Sequence, residues 1–210
     1  MNVTLMRHTP AAEELCGYAA ALCTGFEGYP LKALKGALAS GHESVAEHAS
    51  FTFYIDGVSR VLLAQLTRHR IASFSVQSQR YCGCDPTDVI QPASFEDKRF
   101  TGSVNAVLRK VEDLYNAMVT EGIPEEDARF IVPQGVTCKL MMTMNARELR
   151  HFFSLRCCNR AQWEIRELAQ EMLRQCKEVA PVLFADAGAG CVRGACPEGA
   201  KSCKKGSKSQ

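Results

Sequence analysis

Between Arg60 and Cys84 the chain carries Arg60, Arg68, Arg70 and Arg80, with no Asp, Glu or Lys among them. Ser73, Ser75, Gln77, Ser78 and Gln79 add neutral hydrogen-bonding groups to the same stretch. The guanidinium is a planar fork that grips a phosphate or a carbonyl edge with two hydrogen bonds. Each charge-assisted bond is worth about 1.5–3 kcal/mol, so a few of them reach the roughly −8 kcal/mol of micromolar binding. A second run, Arg147, Arg150, Arg156, Arg160, Arg166 and Arg174, is also free of Lys. There Glu148, Glu164, Glu167 and Glu171 can pair with the arginines at helical spacing. The first run suits an anion site better than a solvated charged face; the second suits the charged face better.

His42 and His48 flank Glu43 and Glu47. Metal ligands on one helix face need a spacing of about three or four, and a separation of six puts two residues roughly 240° apart. A zinc protease reading fails on that geometry. G-H-E-S, Gly41 to Ser44, reads as a site loop ahead of a strand, or as two structural histidines. Eleven cysteines include Cys82-x-Cys84, Cys157-Cys158 and Cys191-x4-Cys196-x6-Cys203. None has the paired C-x-x-C spacing of a zinc ribbon, so no metal is expected and the thiols read as free in a reducing compartment.

These side chains need elements to position them. Thr9-Pro10 reads as a helix N-cap and first position, with a helix through Cys23. A second helix follows from Leu31 to Gly41. Phe51, Phe53 and Ile55 alternate with Thr52 and Tyr54, the period of a half-buried strand that Gly57 should break. Ser59 can cap a helix through Leu66 that delivers Arg68-His69-Arg70. An apolar stripe of Val104, Val107, Leu108, Val111, Leu114, Tyr115 and Met118 predicts a helix over about 103–121, its stripe packed in the core. Thr137 to Met144 reads as a strand, Asn145 as the cap of a helix through Phe153, and Asn159 to Ala180 as a further helix. Segregated helices and short strands predict an α+β fold, one domain of several helices on a small, largely antiparallel sheet. The domain is expected over 1–187, with a flexible Cys/Gly/Lys-rich tail over 188–210. The 210 residues carry a formal net charge of only +2, so no global field argues for nucleic acid or an anionic membrane. No stretch approaches the roughly 20 apolar residues of a membrane span, and Met1 to Pro10 lacks the apolar core of a secretory signal. A soluble, cytoplasmic protein is the expectation.

The segment R-H-R-I-A-S-F-S-V-Q-S-Q-R-Y, Arg68 to Tyr81, resembles the signature of flavin-dependent thymidylate synthases, the thymidylate synthase complementing protein family: R-H-R, seven residues, then Ser, here Ser78. Further similar motifs follow in the family's order: G-H-E-S-V-A-E-H (Gly41 to His48), F-T-F (Phe51 to Phe53), D-A-R-F-I-V-P (Asp127 to Pro133), N-A-R (Asn145 to Arg147) and L-R-C-C-N-R-A-Q-W-E-I-R (Leu155 to Arg166). The resemblance covers roughly Thr9 to Pro181. It implies reductive methylation of dUMP to dTMP, with methylenetetrahydrofolate as carbon donor, FAD as hydride carrier and NADPH as reductant. It also implies a homotetramer with active sites at subunit interfaces. By position, dUMP would meet Gln65, Leu66, Thr67, Arg68, Val76, Gln77, Ser78, Gln79, Arg80, Arg129 and Arg156. FAD would meet Ser44, Arg68, His69, Arg70, Val76, Asn145, Ala146, Arg147 and His151, with His42 and Ser73 near the folate. Val76 stands where the family often has Glu, so only its backbone carries over; His151 stands where the family often has Asn.

Uracil carbon 5 is a poor nucleophile, and nothing in the sequence places a cysteine to add to carbon 6. The resemblance implies that Arg156 lies against the pyrimidine edge, where a cation lowers the cost of ionising the imide and pushes electron density to carbon 5. Two rivals compete: a non-catalytic nucleotide or RNA binder using the arginine clusters, with Phe74 and Tyr81 for stacking, and a zinc- or thiol-redox protein using the cysteines. A Lys-rich extended basic face is missing outside the tail, which weighs against the first.

Overall fold

The computed structural model describes residues 1–25, 27–96 and 98–204. Besides short 3-10 turns, one of them Glu43–His48, the described elements in chain order are β1 (Asn2–His8), α1 (Ala12–Thr24), α2 (Pro30–Ala39), β2 (Ser50–Ser59), α3 (Arg60–Leu66), β3 (Ala72–Val76), α4 (Lys98–Thr120), α5 (Glu125–Ala128), β4 (Thr137–Asn145), α6 (Ala146–Arg156) and α7 (Trp163–Val179). The strands form one sheet in the order β1-β2-β4-β3, and the fold is α+β, helices on a small antiparallel sheet. The chain separates into two compact units, one of residues 1–2, 55–65 and 75–140, the other of 3–54, 66–74 and the described part of 141–210.

Local chemistry explains where most elements begin. The Ser59 hydroxyl accepts the Leu62 N–H at 3.0 Å and starts α3. The Asn145 side chain accepts the Glu148 N–H at 2.9 Å and starts α6, and Gln162 accepts from Glu164 and Ile165, both at 3.1 Å, to start α7. A side-chain acceptor at this position satisfies one of the orphan amides of the first turn and is worth about 1 kcal/mol. Close approach of α1 and α2 requires glycine at position 17, because an added Cβ there would sit 2.4 Å from the Pro30 carbonyl oxygen.

Four sequence expectations are corrected. Thr9 caps no helix: its amide donates to the Ser50 carbonyl at 3.0 Å and its hydroxyl accepts the Ser50 amide at 3.0 Å, and α1 begins only at Ala12. Gly57 does not end β2, which continues to Ser59 because glycine takes φ +65° there. Strands β1 and β3 were not expected; both lie at the sheet's edges, and neither has a fully buried residue, so neither shows the apolar signature of a packed strand. The α4 stripe is not a closed core face: Tyr115 is buried, but Val107 is 58% and Leu114 52% exposed. Helical periodicity shows that a face is apolar and says nothing about what covers it. In the stretch read as a flexible tail, residues 188–204 carry two 3-10 turns, Gly190–Val192 and Gly199–Lys201; the rest of that stretch, 205–210, lies outside the described residues.

The second unit packs around aromatic edges. Phe51 and Phe153 both present edges to Phe184, at centroid distances of 5.3 and 5.9 Å, and all three are fully buried. Beside this core the fully buried guanidinium of Arg150 donates to Glu43 at 3.0 Å, to the Leu183 carbonyl at 2.6 Å and to Asp186 at 2.7 and 3.1 Å. Arg193 adds a second cation, 2.6 Å from Glu43. The cluster ties the 43–48 turn, α6 and the chain after α7 into one network. Burial opposes the charge of Arg150, but Asp186 and Glu43 outweigh it and hold the group protonated. Burial likewise opposes ionisation of Asp186, yet Arg150 and Arg193 keep its carboxyl below the usual carboxylate range.

Truncating Phe184 to Ala should lower unfolding free energy by about 3–5 kcal/mol, the range for a buried aromatic, read as a drop in the urea midpoint. Asp186→Asn tests the ion cluster. A carboxyl depressed in the folded state contributes stability that is complete above its unfolded value and lost as pH falls through its folded one. The wild type should therefore exceed Asp186→Asn by a constant margin above about pH 5, and the margin should shrink as pH falls below about 4.

Candidate functional site

In the second unit the R-H-R motif leaves α3 and turns. The His69 amide donates back to the Leu66 carbonyl at 3.1 Å. This geometry buries the His69 ring, 5% exposed, while Arg68 and Arg70 on either side are exposed. His69 Nδ1 lies 3.0 Å from Glu148 Oε1, and Arg156 Nε donates to His69 Nε2 at 3.1 Å. The structure thus joins the R-H-R histidine to both ends of α6. Phe152 presents its ring at 5.0 Å and His151 at 6.0 Å from His69. Burial pushes the His69 pKa down, with Glu148 opposing and Arg156 and His151 adding to the depression. Burial also lowers the pKa of Arg156.

Other residues expected at the site sit in the same unit. Asn145 caps α6, the Ala146 amide donates to the Ala49 carbonyl at 2.8 Å, and exposed Arg147 pairs with Glu47. His42 and Ser44 are exposed, at the edge of and within the 43–48 turn that Arg150 anchors. Ser73 and Thr67 are exposed; Leu66 is fully buried, so its side chain serves the core and only its backbone can face a ligand. Both nitrogens of His69 are engaged within the chain, so a ligand can meet its ring or its backbone but not a ring nitrogen. Among the described residues neither Arg68 nor Arg70 has an ion-pair or hydrogen-bond partner, which leaves two uncompensated cations on the surface.

The first unit holds Gln65, Val76, Gln77, Ser78, Gln79, Arg80 and Arg129. The Gln77 amide donates to the Lys139 carbonyl at 3.0 Å, continuing β3 into the loop. The Ser78 hydroxyl accepts the Arg80 amide at 3.2 Å, and the Ser78 carbonyl accepts from Cys82 at 3.2 Å, so Ser78 organises a turn. Arg80 Nε lies 2.9 Å from Glu126, and its guanidinium rests 5.4 Å from the Tyr81 ring centre. Arg129 Nε donates to the Glu126 carbonyl at 3.1 Å. Arg80 and Arg129 therefore both bind Glu126, one at its carboxylate and the other at its backbone carbonyl, and Gln65 donates to the Val61 carbonyl in its own helix at 3.4 Å. A cavity of about 220 Å³ opens beside the same turn, lined by Gln77, Gln79, Cys82, Cys84, Asp88 and Thr137. The Nε2 of Gln79 is buried with no partner among the described residues.

The second arginine run divides. Arg150 is structural; Arg174 pairs with Glu171 and Glu178 at helical spacing, the solvated face expected of it; Arg156 meets the R-H-R histidine. Sequence reasoning missed Glu148 as a partner of His69 and Glu43 as a partner of Arg150. Asn145-x-x-Glu148 does read as a capping box, which marks a helix start but not the reach of the glutamate to a residue 79 positions away. Among the described residues no three His, Cys, Asp or Glu side chains are grouped to hold a metal ion, and no helix is long and apolar enough to cross a membrane.

Residues 4–182 match the family described as thymidylate synthase complementing protein. A flavin-dependent thymidylate synthase of Geobacter sulfurreducens is 48% identical over 98% of this chain and 94% of its own length. One of Clostridium tetani is 42% identical over the same shares. The crystal structure of a flavin-dependent thymidylate synthase of Helicobacter pylori, complexed with FAD and dUMP, superposes with a TM-score of 0.72 at 26% identity, covering 90% of this chain and all of that one. With the R-H-R histidine wedged between Glu148 and Arg156, and with near-complete coverage in both directions, the chain belongs to the flavin-dependent thymidylate synthase family.

Proposed function

We infer that this chain methylates dUMP to dTMP, with FAD as hydride carrier, methylenetetrahydrofolate as carbon donor and NADPH as reductant. The observation that carries the reading is Arg156, half-buried at the end of α6 and aimed by His69 of the R-H-R motif, in a member of this family. The family domain is placed at residues 1–187, with 188–210 appended. The working form is a cytoplasmic homotetramer with active sites at subunit interfaces.

The residues fit a flavin dinucleotide. Its diphosphate needs cations not already neutralised, and Arg68 and Arg70 are exposed without partners among the described residues. Ser44, Asn145, the Ala146 backbone, Arg147 and His151 would hold the rest of it, with the ring or backbone of His69 and the Val76 backbone completing the contact. When bound, FAD supplies the hydride. The protein contributes positioning and charge. For dUMP, the residues proposed are Gln65 to Arg68, Val76 to Arg80, Arg129 and Arg156, with His42 and Ser73 toward the folate. The Arg80–Glu126 pair is half exposed on both sides, and such pairs are worth about 0–1 kcal/mol. A phosphate offering bidentate bonds of about 1.5–3 kcal/mol each outcompetes Glu126 for Arg80.

Arg156 does the electrostatic work. A guanidinium against the imide edge stabilises the ring's anion and makes carbon 5 nucleophilic. No thiol is needed, and the thiol next to it in sequence is unsuited: burial pushes the Cys157 pKa up to about 12, so it carries almost no thiolate at neutral pH.

Arg156→Ala should keep the fold and the bound-flavin absorbance and lose most dTMP turnover, at least about a hundredfold on the scale of a lost oxyanion donor; near-normal turnover would remove Arg156 from this role. Arg80→Ala should weaken dUMP binding more than FAD binding in calorimetric titrations, and the opposite ranking would defeat its assignment.

A further inference from the structure

The hydrogen bonds around His69 admit one consistent set of protons. A guanidinium Nε carries its proton at every pH a protein survives, so at 3.1 Å from Arg156 Nε the Nε2 of His69 must be a bare acceptor. A neutral imidazole with its lone pair on Nε2 carries its proton on Nδ1. That nitrogen is 3.0 Å from Glu148 Oε1, and a carboxylate accepts. Donation therefore runs from Arg156 to His69 to Glu148. Glu148 is 7% and His69 5% exposed, so bulk water does not replace either bond. Glu148 and Arg156 stand eight positions apart on α6, about 12 Å along its axis at 1.5 Å per residue. The long Arg156 side chain folds back toward the helix N-terminus, and His69 bridges the remaining gap. The Asn145 cap fixes the turn from which Glu148 projects.

We propose that Glu148 is a positioning residue for the reaction: by accepting the Nδ1 proton it locks His69 in the Nδ1–H tautomer, which keeps Nε2 as the acceptor that aims the Arg156 guanidinium. The proposal rests on the reading of Arg156 as the group that faces the pyrimidine. Without Glu148 the imidazole is free to move its proton to Nε2, where it would point an N–H at the N–H of Arg156 and push the guanidinium away. Protonation of His69 has the same result, because an imidazolium has no acceptor and sets a cation against a cation. The groups facing His69 are Glu148, Arg156, His151 and the Phe152 ring. Of these the carboxylate alone favours the imidazolium; burial, Arg156 and His151 disfavour it, so His69 stays neutral at neutral pH. As pH falls through its depressed pKa, Arg156 loses its acceptor and turnover falls. Removing the carboxylate charge moves that limb to still lower pH.

Two readouts test this. Long-range proton–nitrogen correlation spectra of the wild type labelled on its five histidines, taken near pH 7.5 without substrate, should show one histidine as the Nδ1–H tautomer. Glu148→Gln, whose amide oxygen can still accept, should keep that signal; Glu148→Leu should lose it. In steady state, Glu148→Leu should keep bound flavin and a dUMP KM within about threefold while kcat falls about ten- to a hundredfold, the range for residues that act by orienting another. Glu148→Gln should recover most of kcat, with its acid limb at lower pH than the wild type. A wild-type spectrum with every histidine as the Nε2–H tautomer would overturn the proposal, as would Glu148→Leu with wild-type kcat. If the Leu variant fails to fold, the wild-type spectrum and the Glu148→Gln acid limb still decide. A wild type that makes no dTMP would overturn the premise about Arg156 instead, and it is told apart because the spectrum is read on the protein alone.

Discussion

A guanidinium is useful in a site only if something fixes it, because its side chain is long and its charge prefers water. In this chain the fixing group for Arg156 is a buried neutral imidazole. An imidazole nitrogen holds a cation by a hydrogen bond without cancelling its charge, as a carboxylate would. Placing the carboxylate of Glu148 on the far side of the ring keeps a negative group in the vicinity, one imidazole removed from the guanidinium. The arrangement needs burial, since water would compete for every bond in it, and Phe152 packs its ring against His69 at 5.0 Å.

The buried Arg150 and the half-buried Arg156 of the second unit are held in opposite ways. Arg150 is neutralised outright by Glu43 and Asp186, and its use is architectural: it ties down the 43–48 turn that carries His42 and Ser44. A buried guanidinium with one partner removed is strongly destabilising, so this cluster holds its geometry firmly. Arg156 instead donates to the neutral ring of His69 at 3.1 Å. One arginine-rich segment, Arg147 to Arg174, thus contains residues of three kinds: an architectural cation in Arg150, a cation held by the R-H-R histidine in Arg156, and the solvated pairs of Arg174.

The first unit follows a different rule. Arg80 is a surface cation loosely paired with the Glu126 carboxylate, a bond of little intrinsic strength that a phosphate can displace, while Arg129 holds the Glu126 backbone carbonyl. The Ser78 turn that presents Arg80 is held by its own backbone and hydroxyl. A site for an exchangeable anion is better built from weak internal pairs than from strong ones, since the ligand must win the exchange.

Much was legible in the residues themselves. The spacing of Arg68-His69-Arg70 and Ser78, and the order of the motifs around it, identified the family, and short-range rules placed the starts of α3 and α6, because the caps Ser59 and Asn145 act over a few residues; the strand read from Thr137 to Met144 is β4. The edge strands β1 and β3 were not legible, since a half-exposed strand is defined by its neighbour rather than by its own pattern. Nor was the fate of the α4 stripe, whose period says only that one face is apolar. The meeting of His69 with Glu148, and of Arg150 with Glu43, was decided by tertiary structure alone. Residue type determines that a histidine can take either tautomer and that an arginine can be architectural or chemical; only the groups that the fold brings within about 3 Å in a water-poor setting select between them.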